Sequence, residues 1–336
     1  MTTVESLLTA SAEQQAVWFP RIAAGQIVGN ATTERGNPAG RSLTRLRRRD
    51  GRWLLTGTKY HSTGRLYADW VRVQAETEDG RSVRVSVHRD APGVELVDDW
   101  DGFGQRLTAS GTTRLTDVAV DPADVDGLDD PAAGDPDARF AVPWVQAVLL
   151  AALTGITRSC RDDAIAYVRG RTRSFTHGVG DVPARDPLVQ EVVGRISAAV
   201  AAVDAVFDAT AVRPERLADA LPGAPAGDPG ITALVEEANT AVAEAQIVIV
   251  EQTLAVANQL FEVGGASAVA EGRRLDRHWR NARVLAQHNP VAYRARAVGQ
   301  QRLTGDHRTT IVLVGTGGAN DTDGPTTNPT PVEETA

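Results

Sequence analysis

Leu54-Leu55-Thr56-Gly57-Thr58-Lys59-Tyr60-His61-Ser62-Thr63-Gly64, running on into Arg65-Leu66-Tyr67-Ala68-Asp69-Trp70-Val71-Arg72-Val73, is the most informative stretch of this chain. Apolar and polar residues alternate on both sides of Gly57-Thr58, and Ser62-Thr63-Gly64 bends the chain before a second alternating run begins. That is the period of half-buried strands. The two strands present a row of hydroxyls, rings and backbone N–H groups at one edge. Such donors suit a flat, oxygen-rich heterocycle.

Outward from this stretch the pattern stays strand-like from Leu43 to Val120. Runs at Leu43 to Arg47, Trp53 to Leu55, Trp70 to Ala75, Val83 to His88, Val94 to Val97 and Thr113 to Val118 are separated by Asp50-Gly51, Asp79-Gly80 and Pro92-Gly93. Short, evenly spaced strands with such turns predict a small antiparallel barrel or sandwich. Upstream, Thr2 to Ile22 reads as a helix, with a start signal at Ser11 to Gln14 and apolar spacing at Val17, Trp18 and Ile22. Gln26 to Gly36 reads as a short strand opening into a polar loop; taken alone, it is a turn built from good turn formers.

After Asp121-Pro122 a stretch rich in Asp, Pro, Gly and Ala predicts a linker, and the period then becomes helical. Phe140 to Tyr167, Pro187 to Val212, Ile231 to Phe261 and Ala266 to Leu285 carry apolar residues at three- and four-residue steps, as a four-helix bundle requires. Pro214 to Pro229 reads as an insertion between helices. The fold class expected is α+β, an antiparallel β-barrel followed by a C-terminal helical bundle. The expected division is 1–25, a helical remnant; 26–125, the barrel; 126–138, a linker; 139–303, the bundle; and 304–336, a mostly disordered tail.

The 336 residues are 42% hydrophobic and 23% charged, with a net charge of −8. That balance argues against nucleic acid as the main partner. The single Cys160 excludes an internal disulfide framework and a cysteine-based metal cluster. No run approaches the ~18 consecutive apolar residues of a membrane helix, so the expectation is a cytoplasmic protein with no membrane partner and no metal.

The quoted stretch, with Thr32-Thr33-Glu34, Gly104-Gln105-Arg106, Gly264-Gly265-Ala266-Ser267 and Asp276-Arg277-His278-Trp279-Arg280-Asn281-Ala282-Arg283, resembles the acyl-CoA dehydrogenase superfamily from about Gln14 to Gly299. The last of these, with Gln287-His288-Asn289-Pro290 after it, resembles its flavin-dependent monooxygenase branch, which includes dibenzothiophene and dimethylsulfone monooxygenases. The resemblance implies a flavin at the strand edge, contacted by Asn30, Thr33, Tyr60 and Thr63. It also implies phosphate contacts at Arg171 and Arg173 to a neighbouring subunit's flavin; a solvated basic helix end is the competing reading. The same choice applies to Arg277, Arg280 and Arg283, which share one helix face and suit phosphate binding or inter-helix ion pairs. Of the superfamily's N-terminal helical domain only the last helix is recognisable, which predicts either a start placed too far downstream or a reduced variant.

Dehydrogenation of a thioester requires a carboxylate base. The two places where the resemblance expects one read His288-Asn289-Pro290 and Trp144-Val145-Gln146, and neither supplies it. Monooxygenation instead requires reduced flavin, O2 and a group able to manage the proton of a flavin C4a-(hydro)peroxide. The resemblance places His288 in that role, with Ser62 beside the flavin, although a lone histidine there equally suits a helix cap. Two departures are Leu285, where the dibenzothiophene enzyme has a second His, and Ser267, where it has an Arg. By alternation His61 and Ser62 point to opposite faces, so one of them packs inward. The leading expectation is a reduced-FMN monooxygenase, with FAD as the other flavin, acting on a small apolar or organosulfur compound as a homotetramer supplied by a separate flavin reductase. The alternatives are an FAD-dependent acyl-CoA dehydrogenase and a truncated, inactive paralogue.

Overall fold

The computed structural model describes Leu7 and residues 10–306, apart from 39, 129–137 and 226; for 138–140 it describes the backbone alone. Most of the expected linker and the tail from 307 onward lie outside the described residues.

Helix α1 (Ala12–Ala23) begins with a reciprocal capping box: the Ser11 hydroxyl accepts from the Gln14 N–H and the Gln14 side chain accepts from the Ser11 N–H. Trp18, 2% exposed, drives its docking. Its ring meets Trp70 edge-on at 5.6 Å. The Arg21 guanidinium lies 4.0 Å from the centroid of Trp70 and pairs with Asp124 at 2.8 Å.

Eight strands follow: β1 (Val28–Ala31), β2 (Arg45–Arg49), β3 (Arg52–Ser62), β4 (Trp70–Thr77), β5 (Ser82–His88), β6 (Val94–Val97), β7 (Gly111–Val120) and β8 (Val125–Asp126). Their order is β6-β7-β3-β2-β4-β5-β8, with β1 alongside β4. Asp50 (φ 50°) and Gly51 (φ 78°) form the two-residue link of the β2–β3 hairpin, whose register pairs Arg49 with Arg52. Positive φ at both positions gives the turn twist that two-residue hairpins need. The sheet departs from a purely antiparallel barrel in two ways. β4 pairs in parallel with both β1 and β2, and no ladder among the described residues joins β6 to β8. It is an open sheet wrapped around Leu46, Leu55, Val71, Val73, Val83, Val85, Leu115 and Val118. Each side chain of that size contributes roughly 1.5–3 kcal/mol on full burial.

The bundle comprises α2 (Ala138–Arg169), α3 (Pro187–Ala220), α4 (Pro229–Gln259), α5 (Asp276–Ala286) and α6 (Val291–Thr304). Two expectations are corrected. α3 continues through Pro214, which is buried; next to it Leu217 packs with Leu221, Ile231, Val235 and Ala238. That burial offsets the ~3 kcal/mol an interior proline costs. The fourth helical run also fails to form one helix: residues 260–273 are short 3-10 turns, and the fourth position is shared by α5 and α6, broken at Asn289-Pro290. By length and composition, Ala141–Arg169 and Pro229–Val263 pass as membrane-spanning helices. Within the bundle α2 and α4 carry buried hydroxyls and amides; Thr157 and Thr253 bond each other at 2.8 Å.

The β6–β7 loop fastens sheet to bundle. The Gln105 N–H donates to Asn281 Oδ1 on α5 at 2.7 Å, and Phe103 stacks on Trp279 with centroids 5.9 Å apart. A Cβ on Gly104 would lie 2.3 Å from the Arg280 carbonyl oxygen, so only glycine permits this approach.

Candidate functional site

The edge of β3 is built on a buried ion pair. Lys59 is wholly buried and Glu34 is 7% exposed, with Nζ and Oε1 2.6 Å apart. Glu34 also accepts from the Leu43 and Thr44 amides and from the Ser42 and Thr44 hydroxyls. Burial opposes its ionisation, but the Leu43 amide, Lys59 and Thr44 outweigh that and hold it at about 2. The two partners differ in sign: burial pulls Lys59 down by more than Glu34 raises it. The carboxylate is therefore stabilised mainly by its cage of donors, and the ammonium depends on the carboxylate.

This pair joins the two segments expected at the cofactor. The Tyr60 N–H donates to the Thr33 carbonyl at 2.8 Å, and the Asn30 N–H to the Thr63 carbonyl at 3.1 Å. Lys59 Nζ reaches the Thr32 carbonyl at 3.2 Å. Asn30, Thr33, Tyr60 and Thr63 are thus brought together. Arg35, which sequence reasoning did not single out, sits 4.2 Å over the Tyr60 ring and adds a cation to the edge.

Ser62 departs from expectation. Its side chain is wholly buried and its Oγ has no hydrogen-bond partner among the described residues. The cause is a bulge: His61 adopts φ 52° and the β3–β7 register shifts between Lys59 and Ser62. The shift reverses the alternation, turning Ser62 inward and leaving His61 and Thr63 exposed. The open edge is therefore presented by Thr63. Its Oγ1 lies 2.9 Å from Ser110 Oγ, which donates to Thr108 Oγ1 at 2.8 Å, which donates to the Gln105 carbonyl at 2.8 Å. Ser110 and Thr108 were missed, although Thr108-Ala109-Ser110-Gly111, two residues past Gly104-Gln105-Arg106, is a hydroxyl-rich run leading into a strand.

Besides Glu34, the carboxylate of Asp99 lies behind the edge. Asp99 accepts from the Thr112 N–H and hydroxyl, both at 2.7 Å, and faces the buried Arg65 at 3.6 Å. The Thr112 hydroxyl, ahead of the burial that opposes it, the Thr112 amide and Arg65 hold its carboxyl below the usual range. A carboxylate so stabilised is a weak base.

His288 follows α5, seven residues and about 10 Å of helix beyond Asn281. Its surface is exposed, yet desolvation by the surrounding protein first, and then the Arg294 charge, lowers its pKa, so the ring is neutral at pH 7. Asn289 Nδ2 lies 3.2 Å from His288 Nδ1 and 3.0 Å from Gln146 Oε1, while Gln246 Nε2 donates to the Asn289 carbonyl at 2.8 Å. An amide N–H can only donate, so Nδ1 accepts and Nε2 carries the proton. The two places where a dehydrogenase base is expected are hydrogen-bonded to each other, and both are amides. Among the described residues no carboxylate is bonded to any of these four side chains. Gln246 was missed; a glutamine amid the apolar run of α4 was its signal.

Arg171 and Arg173 lie at the other end of α2 from the Gln146–Asn289 pair within one chain. Gln146 and Arg169 are separated by 23 residues of α2, or about 35 Å. Arg171 donates to the Val263 carbonyl at 2.8 Å and packs 4.8 Å from the Phe175 ring.

Residues 147–293 match the family described as acyl-CoA dehydrogenase, C-terminal domain. The chain is 28% identical to a dibenzothiophene monooxygenase of Mycolicibacterium goodii over 76% of its own length and 62% of that protein's. It is 28% identical to a probable FMNH2-dependent monooxygenase, SfnC, of Pseudomonas putida over 87% and 71%. It therefore spans about three fifths to three quarters of these relatives. The FMN-bound structure of TdsC, a dibenzothiophene monooxygenase of Paenibacillus sp. A11-2, superposes with a TM-score of 0.81 at 27% identity, covering 91% of this chain and 78% of that one. A glutaryl-CoA dehydrogenase of Mycobacterium smegmatis shares the fold alone, with a TM-score of 0.66 at 22% identity, covering 91% and 73%. Residues 147–293 thus carry the acyl-CoA dehydrogenase C-terminal domain, and the β-sheet domain and helical bundle together are similar to those of flavin-dependent monooxygenases.

Proposed function

We propose that the chain is a reduced-FMN-dependent monooxygenase acting on a small organosulfur compound. The observation that carries this reading is the hydrogen-bonded amide pair Asn289–Gln146 beside a neutral His288, where thioester dehydrogenation would need a carboxylate. The polar edge fits a flavin: Asn30, Thr33, Tyr60 and Thr63 are brought together there, with Arg35 as a nearby cation. Reduced FMN, when bound, supplies the electrons that activate O2, of which one oxygen atom goes to the substrate.

The chain's own residues do the rest. Asn289 fixes the His288 tautomer, so Nε2–H donates to an oxygen on the substrate side. Lys59 and Glu34 hold the two cofactor loops in register, and Ser62 underlies the edge that Thr63 lines. Arg171 and Arg173 serve the cofactor phosphate of a second copy, in a homotetramer supplied with reduced flavin by a separate reductase.

The test supplies reduced FMN and O2 with dibenzothiophene-type sulfides, alkyl sulfinates and acyl thioesters. Incorporation of oxygen from O2 into a sulfur compound is expected. Thioester-dependent bleaching of bound FAD without oxygenated product overturns the reading in favour of the dehydrogenase. No flavin binding at all leaves the inactive paralogue.

A further inference from the structure

The β2–β3 hairpin carries a charge that the rest of the fold does not use. Its tip reads Arg47-Arg48-Arg49-Asp50-Gly51-Arg52, four arginines and one aspartate in a chain whose net charge is −8. All six residues are exposed. Just upstream, Arg41 and Arg45 are paired with Glu76 at 2.6 and 3.6 Å. Arg47, Arg48, Arg49 and Arg52 have no such partner among the described residues. The two-residue link also sets Arg49 directly opposite Arg52, and like charges opposed across a ladder destabilise it. Asp50 offsets only one of the four, so the hairpin concentrates positive charge at a cost to the sheet.

A cleft of about 440 Å³ opens beside this turn, lined by Arg48, Arg52 and Trp53 and, from the end of β7 onward, by Val120, Asp121 and Pro122. Trp53 is half-buried, packs on the core of the sheet and is the cross-strand partner of both Arg48 and Val120. The carboxylate in this lining, Asp121, is engaged by the Ala123 amide, which donates to its Oδ1 at 2.9 Å. An indole and two guanidinium groups at one opening suit a ligand that is flat and apolar at one end and anionic at the other. The volume is that of a small-molecule site, whereas a stable protein partner needs about 20–30 residues a side. We propose that this cleft binds an aromatic phosphate of mononucleotide size, its ring against Trp53 and its phosphate held by Arg48 and Arg52. The site is separate from the candidate flavin edge: Trp53 and Thr63 lie ten residues apart along β3 and its exit, or about 30 Å. Bound phosphate also screens the guanidinium charges from one another, which removes the cost that the empty hairpin carries.

The experiment titrates the full chain at low salt, by calorimetry, with AMP, ribose 5-phosphate, adenosine, inorganic phosphate and a hexaglutamate peptide, and repeats the AMP titration on the Arg48→Gln/Arg52→Gln double variant. Wild type is expected to bind AMP at one site, about tenfold more tightly than ribose 5-phosphate, which lacks the ring, and at least about tenfold more tightly than adenosine, which lacks the charge. These arms need no variant to fold. The double variant is expected to weaken AMP by about tenfold or more; both arginines are exposed, and its melting curve checks that it is folded. Inorganic phosphate bound as tightly as AMP overturns the proposal, because the hairpin is then a counter-ion patch with no ring site. AMP affinity unchanged in the double variant overturns it by placing the nucleotide elsewhere. Hexaglutamate bound more tightly than AMP overturns it in favour of an acidic protein partner.

Discussion

Replacing Glu34 with glutamine tests the buried pair at the base of the candidate site. The substitution keeps the shape but removes the charge and turns one acceptor oxygen into a donor within a cage of donors. Lys59 then retains neutral acceptors alone: the remaining amide oxygen, the Thr32 carbonyl at 3.2 Å and the Ser42 hydroxyl at 3.1 Å. Removing one member of a buried pair costs about 3–5 kcal/mol. The upper end is set by Lys59 itself: discharging an ammonium of ordinary pKa about 10.4 at pH 7 costs roughly 4.6 kcal/mol, after which the neutral amine is tolerated.

At about 2 °C per kcal/mol for a chain of this size, thermal unfolding of Glu34→Gln at pH 7 is expected some 6–10 °C below wild type. The sign with pH is definite. In the variant the folded Lys59 pKa is depressed, so the penalty is full at low pH and fades as pH rises towards the unfolded value. At pH 10 the gap should close by half or more. Lys59→Met is milder, about 1–3 kcal/mol, because Glu34 keeps its amide and hydroxyl donors. A gap of equal size at pH 7 and pH 10, or a Lys59→Met variant as damaged as Glu34→Gln, would refute the argument. In wild type, a carboxyl held at about 2 rather than 4.5 supports about 3 kcal/mol, present above pH 4.5 and lost as pH falls towards 2.

Burial first, and then the Arg294 charge, lower the His288 pKa from its ordinary value, so oxygenation should be flat at neutral pH and fall on acidification through that lowered pKa as protonated Nδ1 repels Asn289; an acid limb unchanged in His288→Asn counts against the assignment. Gly57→Ala places a Cβ 2.7 Å from Thr44 Cα, and the overlap of backbone with backbone should cost at least 1–3 kcal/mol in chemical denaturation. Cys160 is wholly buried and its thiol is pushed up to about 12, by burial first and then by Asp163; it should resist thiol reagents at pH 8 until the chain unfolds. If the arginines of one copy serve the flavin of another, co-expressed Arg171→Glu and His288→Asn chains, each inactive alone, should recover on the order of a quarter of wild-type activity through mixed sites. Purely additive inactivity would show that each chain's site is complete.

The strands were legible because the signal is local. Alternation and Asp50-Gly51 fix the β2–β3 hairpin within a few residues, and the observed strand limits fall close to those expected. The failures are cases where distant contacts override a local rule. Nothing near Pro214 announces that a hydrophobic cluster carries the helix through it. The bulge at His61 reverses a phase that strict alternation would keep, and so exchanges Ser62 for Thr63 at the open edge. The link from Thr63 to Ser110 spans 47 residues of chain, and only the β3–β7 ladder brings the two hydroxyls together.

The same contrast explains why the chemistry was more legible than its geometry. Whether a carboxylate stands at a given position is a property of the residue itself, so Gln146 and Asn289 could be read directly. That the two touch, and that Asn289 thereby fixes which His288 nitrogen holds the proton, depends on α2, α4 and the α5–α6 break converging. Sequence could name the amides but not their joint action. Any carboxylate restored at one of the two positions would lie against the other amide, and the donor that holds the His288 tautomer would be drawn to the new charge. Converting this site to base chemistry therefore costs it the oriented imidazole, which sets the two reactions apart as alternatives within one framework.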